Sequence, residues 1–194
     1  ISTADARLLL MHGACLLGAD RTAATPARTL QLVHDLGFVQ IESIPVVVRA
    51  HHHILWSRAQ DYQHDTLDKL QRTGRIFEHW THDASLIPTV HFPHWRHRFT
   101  RVAGGTWIKR MLGPNPQEML TQVLDRITRE GPLMASDFEH AGPRQSSGWW
   151  DWKPAKAALD YLWRSGELAV AHRVNFQKVY DLTPRVLGHA VNTP

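Results

Sequence analysis

Two polar residues in a strand-like segment, Gln40 and Glu42, form the pair best suited to chemistry. Side chains alternate between the two faces of a strand, so residues two apart share a face, roughly 7 Å apart at their Cα atoms. An amide and a carboxylate fixed side by side can orient one water molecule and accept its proton. The alternative is a half-exposed strand whose polar side chains only meet solvent.

Histidines recur at spacings that zinc sites also use. They form one block at 51–53, a pair at His79 and His82, and a series at 91–97. Pro93 interrupts that series, no cysteine pair accompanies it, and the chain lacks a His-Glu-x-x-His motif. We therefore expect no metal and no cofactor, and interpret these imidazoles as partly charged surface groups near phosphate.

A basic surface is the second candidate site. A predicted helix from Pro154 to Ser165 and the hairpin after it can lie against a phosphate backbone. The helix stripe consists of Lys153, Lys156, Asp160 and Arg164, and the hairpin adds His172, Arg173 and Lys178. The alternative is a solvated helix face. Just before the helix, Trp149 and Trp150 either stack on a base or pack in the core.

Short helices and few strands position these residues in the first half of the chain. The pattern predicts helices over 4–17, 26–36, 46–58 and 65–72, another from Pro93, a strand over 38–44, and extended chain over 76–88. The helix over 4–17 is apolar nearly all round, so we expect it to be buried. Thr25 and Pro26 provide a cap and a first turn for the next helix.

The second half has the element order of a winged helix, which is a helix-turn-helix followed by a β-hairpin. An amphipathic helix runs from Asn115 to Gly131, and Ser136 caps a short helix. The helix over 154–165 and strand-like segments over 167–173 and 176–182 follow. Because residues 1–112 repeat this order loosely, we predict two tandem winged-helix units, 1–112 and 113–194. The predicted fold class is mainly α with small β-hairpins, α+β.

The composition is that of a globular protein with a basic balance. The chain has 194 residues, of which 43% are apolar, and 22 Lys and Arg face 18 Asp and Glu. Seventeen of the 22 basic residues are arginine, whose planar guanidinium suits phosphate. No run approaches about 18 apolar residues, which excludes a predicted membrane span. A single cysteine excludes an intramolecular disulfide and a multi-thiolate zinc finger.

Several strings together resemble the AlkZ/YcaQ-type DNA glycosylases, a winged-helix family of crosslink-repair enzymes. Each string is weak alone, but they occur in the family's order and spacing. They are LGFVQIESI (36–44), AHHHILWSR (50–58), FEHWTHDA (77–84), GPLMASDFE (131–139), GWWDWKPAK (148–156) and NFQKVYDL (175–182). The resemblance implies tandem winged helices and the removal of alkylated bases from DNA.

The family's catalytic motif is Gln, an apolar residue, then Gln or Asp, and it falls on Gln40, Ile41 and Glu42. Glutamate is a departure that extends the carboxylate by one methylene. The resemblance implies a monofunctional glycosylase for alkylated purines and leaves open whether interstrand crosslinks are unhooked. We assign the DNA contacts to six residues: Arg49, His51, His52, Lys153, Lys156 and Arg173.

The expected partner is double-stranded DNA, bound by a monomer in the cytoplasm, at the bacterial nucleoid. Family members run to about twice this length, so the resemblance also implies that the sequence is part of a longer chain. Two alternatives stay open: a non-catalytic winged-helix protein that binds or regulates DNA, and a winged helix that binds another protein.

Overall fold

The computed structural model describes residues 1–17, 23–59, 61–113, 115–138 and 152–188, except for the side chains of residues 152 and 153. The chain divides into two units, Ile1–Thr89 and Val90–Pro194. The sequence placed this boundary after residue 112. The difference arises because the two helices between residues 92 and 112 pack against the long helix that begins at Trp152.

Unit 1 combines four helices with a three-stranded antiparallel sheet in its described part. The helices are α1 (Thr3–Gly13), α2 (Pro26–Leu36), α3 (Ala50–Trp56) and α4 (Asp65–Arg72), and the strands are β1 (Val39–Gln40), β2 (Ile76–Trp80) and β3 (Ala84–Pro88). The strand order is β1-β3-β2. Leu32, Val33, Leu55, Ile76 and Ile87 form a core that is at most 1% exposed.

Local signals fix α2 and α4 as predicted. Thr25 caps α2 by accepting a hydrogen bond from the N–H of Arg28 at 3.1 Å, and the helix ends at Gly37, where φ is +82°.

The prediction for α1 is wrong in two respects. The helix stops at Gly13, and none of its residues is buried. Its Ser2–Asp5 capping box forms the helix locally, and such a local signal requires no packing partner.

Unit 2 also combines helices with a three-stranded antiparallel sheet. After a 3-10 turn at Thr89–His91 come α5 (Phe92–Ala103), α6 (Trp107–Leu112), α7 (Gln117–Glu130), β4 (Leu133–Met134), a 3-10 turn (Ala135–Phe138), α8 (Trp152–Arg164), β5 (Leu168–Val174), β6 (Gln177–Leu182) and α9 (Thr183–Leu187). The strand order is β4-β6-β5. Ile127, Leu159, Trp163 and Leu168 form the fully buried centre.

Helices with two small antiparallel sheets confirm the predicted class, mainly α with small β-hairpins. In unit 2, a tight turn through Asn175 (φ +48°) and Phe176 (φ +68°) joins β5 to β6. The assignment of this unit as a winged helix stays a prediction. Among the described residues, every helix is too short or too polar to cross a lipid bilayer.

Candidate active site

Gln40, the first candidate residue, ends β1 and is half-buried. Its side-chain oxygen Oε1 lies 3.0 Å from Nε2 of His82, a residue of the turn between β2 and β3. Because β1 pairs with β3, Gln40 stands opposite Ser85, close in sequence to His82. The sheet register therefore brings together two side chains that are 42 positions apart in the sequence.

Glu42 follows the strand and is also half-buried. Its backbone N–H donates a hydrogen bond to Nδ1 of His51 at 3.0 Å. Its carboxylate oxygen Oε1 accepts hydrogen bonds from the N–H groups of Ser43 at 2.8 Å and Ile44 at 3.1 Å. This local side-chain turn competes with strand pairing, so the predicted strand over 38–44 is wrong in length and covers only Val39–Gln40.

The alternation of faces nevertheless continues from the strand to Glu42. Val39 and Ile41 are 1% and 9% exposed, whereas Gln40 and Glu42 are half-buried. Both polar groups are held by hydrogen bonds in the free protein, so they lose little freedom when a substrate binds. A carboxylate with one oxygen held by backbone donors can accept a proton through the other oxygen, and a neighbouring amide can orient the same water.

The histidines 51 and 52 lie inside the unit, in an aromatic cluster beside Glu42. His51 is 5% exposed and contacts the ring of His52 at 4.3 Å between centroids. His52 stacks on His64 at 4.0 Å. Burial lowers the pKa of His52 to about 3, and repulsion from His51, His64 and Arg49 adds to the shift. His52 is therefore neutral at pH 7, contrary to our interpretation of it as a charged phosphate contact.

Tyr62 completes this cluster. Its hydroxyl lies 2.9 Å from Nδ1 of His52 and shares one hydrogen bond with it. Burial raises the pKa of Tyr62 above its usual range, and the negative charges of Asp68 and Asp65 add to the shift. The phenol therefore stays protonated, and the hydrogen-bonded pair of Tyr62 and His52 is neutral at pH 7.

The remaining predicted DNA contacts lie in both units. Arg49 is the half-buried N-cap residue of α3 in unit 1. In unit 2, Lys156 and Arg173 line one cleft of about 850 Å³, to which Lys178 adds a third basic side chain. Asp160 is an acidic residue of the same cleft. The side chain of Lys153, and all of Trp149 and Trp150, lie outside the described residues.

Aromatic rings hold two of the three basic groups of this cleft. The Arg173 guanidinium lies 4.5 Å from the centre of the Phe176 ring and donates a hydrogen bond to the Phe176 carbonyl at 2.6 Å. Nζ of Lys178 lies 3.3 Å from the centre of the buried Trp163 ring. Such contacts keep long basic side chains in place along the cleft.

Sequence reasoning identified Gln40 and Glu42 but gave His82 and Tyr62 no role at the site. The sequence indicates His82 only through its spacing, three positions after His79. The feature that brings His82 to the site is the β-hairpin over 76–88. The sequence pattern predicts only extended chain there. Within the described residues, no group of three or more His, Cys, Asp or Glu side chains is placed to hold a metal ion.

Comparison with protein families gives a match over most of the chain. The model of the AlkZ-like DNA glycosylase family matches residues 33–194. No solved structure gives a significant match. The matched residues include Gln40, Glu42 and every residue of the basic cleft described above.

Proposed function

The chain belongs to the AlkZ-like DNA glycosylase family, and we propose that it is a monofunctional glycosylase that hydrolyses the N-glycosidic bond of alkylated purines. One observation supports this most: Gln40 and Glu42 emerge together from a buried segment, each already fixed by hydrogen bonds. The pair is suited to holding and deprotonating one water molecule.

The leaving group explains why so few residues suffice. A purine alkylated at N7 or N3 carries a positive charge, so it departs as a neutral base once it takes the electron pair of the glycosidic bond. No strong general acid is needed at the base. The protein must instead stabilise the positively charged sugar and supply a nucleophile at its anomeric carbon.

In the proposed step, the glycosidic bond breaks as a water oxygen bonds to the anomeric carbon. Gln40 orients this water, and its proton passes to the Glu42 carboxylate, whose negative charge also stabilises the sugar cation. The products are a free base and an abasic site. No lysine amine attacks the sugar, so the DNA strand stays intact.

Glutamate at position 42 departs from the family pattern of Gln or Asp. Its Oε1 is held by the N–H groups of Ser43 and Ile44. Without such support, a displacement of about 1 Å at a reacting group can cost roughly a hundredfold in rate. We propose that these two backbone donors compensate for the substitution.

We propose that unit 2 is a winged helix that binds the phosphate backbone of duplex DNA through its basic cleft. Lys156 is exposed there, and Arg173 and Lys178 are fixed beside it. Arg49 remains a proposed contact in unit 1. Burial argues against His51 as a DNA contact, and the neutral imidazole of His52 argues against it as a charged one.

The test is the release of N7-methylguanine from methylated duplex DNA, with the chain in excess over DNA. We expect free base and intact strands that break only on later treatment with alkali. Glu42→Ala removes the carboxylate that takes the water proton, so release should fall by about 10²–10⁴-fold. Glu118→Ala, at an exposed residue of α7, is the matched control.

The same assay separates the alternative function. Binding of duplex DNA without base release by the wild-type chain would contradict the glycosylase proposal and favour a non-catalytic DNA-binding protein. A duplex with an interstrand crosslink between N7 atoms, tested in parallel, tells whether unhooking belongs to the substrate range.

A further inference from the structure

His82 occupies the turn that joins β2 to β3 and touches the candidate catalytic residue Gln40. Its Nε2 lies 3.0 Å from Oε1 of Gln40. The edge of its ring contacts Phe38 at 5.9 Å between centroids. The imidazole itself is exposed. It is therefore placed between the candidate site and solvent rather than in the core.

Hydrogen bonds fix the position of this turn relative to Gln40. Within the turn, the N–H of Thr81 donates to the carbonyl of Asp83 at 2.9 Å, and the Thr81 hydroxyl lies 2.9 Å from that of buried Ser85. Across the sheet, the N–H of Ile41 donates to the carbonyl of Ala84 at 2.8 Å. The backbone on both sides of the Gln40–His82 contact is thus tied into one sheet.

We infer that His82 is a positioning residue for the proposed hydrolysis. Its Nε2–H donates to Oε1 of Gln40, so the Gln40 amide is held with its NH₂ group directed away from His82. An amide so fixed presents its NH₂ group as a donor to the water oxygen. Glu42 is then the acceptor for the water proton, and the two residues have distinct roles.

These distinct roles explain why position 40 carries an amide and position 42 carries a carboxylate. The water receives a hydrogen bond from Gln40 and gives one to Glu42, which leaves a lone pair of its oxygen for the anomeric carbon. If the amide rotated, its oxygen would compete with Glu42 for the water protons. His82 prevents that rotation because it supplies an N–H donor on the far side.

The inference rests on the proposed function and is tested by the single-turnover rate of base release. His82→Ala frees the amide, and we expect the rate at saturating protein to fall roughly tenfold. Because the side chain is exposed, the affinity for undamaged duplex and the melting temperature should not change. His82→Gln, which supplies an N–H donor at similar reach, should restore most of the rate. His82→Glu, which offers only acceptors when ionised, should not.

Coupling to Gln40 distinguishes positioning from a general structural role. In the double variant Gln40→Ala/His82→Ala, we expect the rate of Gln40→Ala alone, because the histidine acts only through that amide. Independent, multiplicative losses would overturn the inference. Equal rates for His82→Gln and His82→Glu would also overturn it.

Failure of the proposed function gives a different result from failure of this inference. If the wild-type chain releases no base, the proposed function fails and the positioning role fails with it. If the wild-type chain is active and His82→Ala is equally fast, only the role of His82 is overturned. The side-chain amide resonances of Gln40 report the hydrogen bond itself, and we expect them to shift in His82→Ala.

Discussion

Residues 1–89 contain eight Lys and Arg against nine Asp and Glu, whereas residues 90–194 contain fourteen against nine. The excess of positive charge thus belongs to unit 2, together with the basic cleft. The candidate catalytic pair lies in unit 1, where backbone N–H groups and the ring nitrogens of histidines hold it. We propose that most of the attraction to phosphate belongs to unit 2 and the activation of water to unit 1, where Arg49 is the one proposed phosphate contact.

This separation has a chemical reason. A carboxylate that must take a proton and stabilise a sugar cation works better without nearby Lys or Arg side chains that compete for its charge. A surface that follows the DNA backbone needs such cations. If the account is right, substitutions in the two units change different measured quantities.

After the loss of the Glu42 carboxylate, the largest expected effect is that of Gln40→Ala. It removes the proposed donor to the water, and we expect single-turnover base release to slow by roughly a hundredfold. The dissociation constant for undamaged duplex should stay within about twofold, since this residue does not hold phosphate. Gln31→Ala, at an exposed residue of α2, is the control. A loss of DNA affinity as large as the loss of rate would contradict the assignment of binding and catalysis to different units.

An intermediate effect is expected on acid stability, through His52 of unit 1. The folded pKa of His52, about 3, is below the unfolded value of 6.5. Between these values the unfolded state binds a proton that the folded state does not. Stability is therefore full above pH 6.5 and decreases as the pH falls towards 3, by about 1–2 kcal/mol after allowance for solvent screening.

The variant His52→Asn removes this titration and keeps an acceptor near the position of Nδ1. We expect the free energy of unfolding to depend less on pH between 7 and 4 than in the wild-type chain, as measured by urea denaturation. His53→Asn, at the exposed neighbouring position, is the matched control. An unchanged pH dependence in His52→Asn would contradict a neutral His52.

The smallest effect is expected from Lys156→Ala in the basic cleft. Loss of one phosphate contact weakens binding to all sequences alike and lowers the slope of log affinity against log salt by about 1. The rate of base release at saturating protein should not change. Lys69→Ala, at an exposed lysine of unit 1 that pairs with Asp65, should leave the slope unchanged. Equal changes for both lysines would show that the cleft is not a DNA contact.

The sequence predicted those features that depend on neighbours along the chain. Thr25 and Gly37 bound α2, and α4 spans the predicted Asp65–Arg72. The type and spacing of Gln40 and Glu42 likewise identified the candidate pair. Each of these features follows from local capping, periodicity or alternation, which a single sequence displays.

Features that depend on long-range pairing could not be predicted. The contact of His82 with Gln40 requires the register of β1 against β3, which neither segment specifies alone. The end of the strand at Gln40 depends on the local turn of Glu42 and also on His51 of α3, which accepts the hydrogen bond from the N–H of Glu42. The burial predicted for α1 failed because an apolar pattern does not say which surface, if any, covers it.

The most direct test of the central claim is the single-turnover rate of N7-methylguanine release by Glu42→Ala, measured at a protein concentration that saturates the DNA. The account predicts that this variant binds duplex DNA as the wild-type chain does and releases the base at least about a hundredfold more slowly. A rate equal to that of the wild-type chain would contradict the account, because Glu42 would then not be the base that activates water.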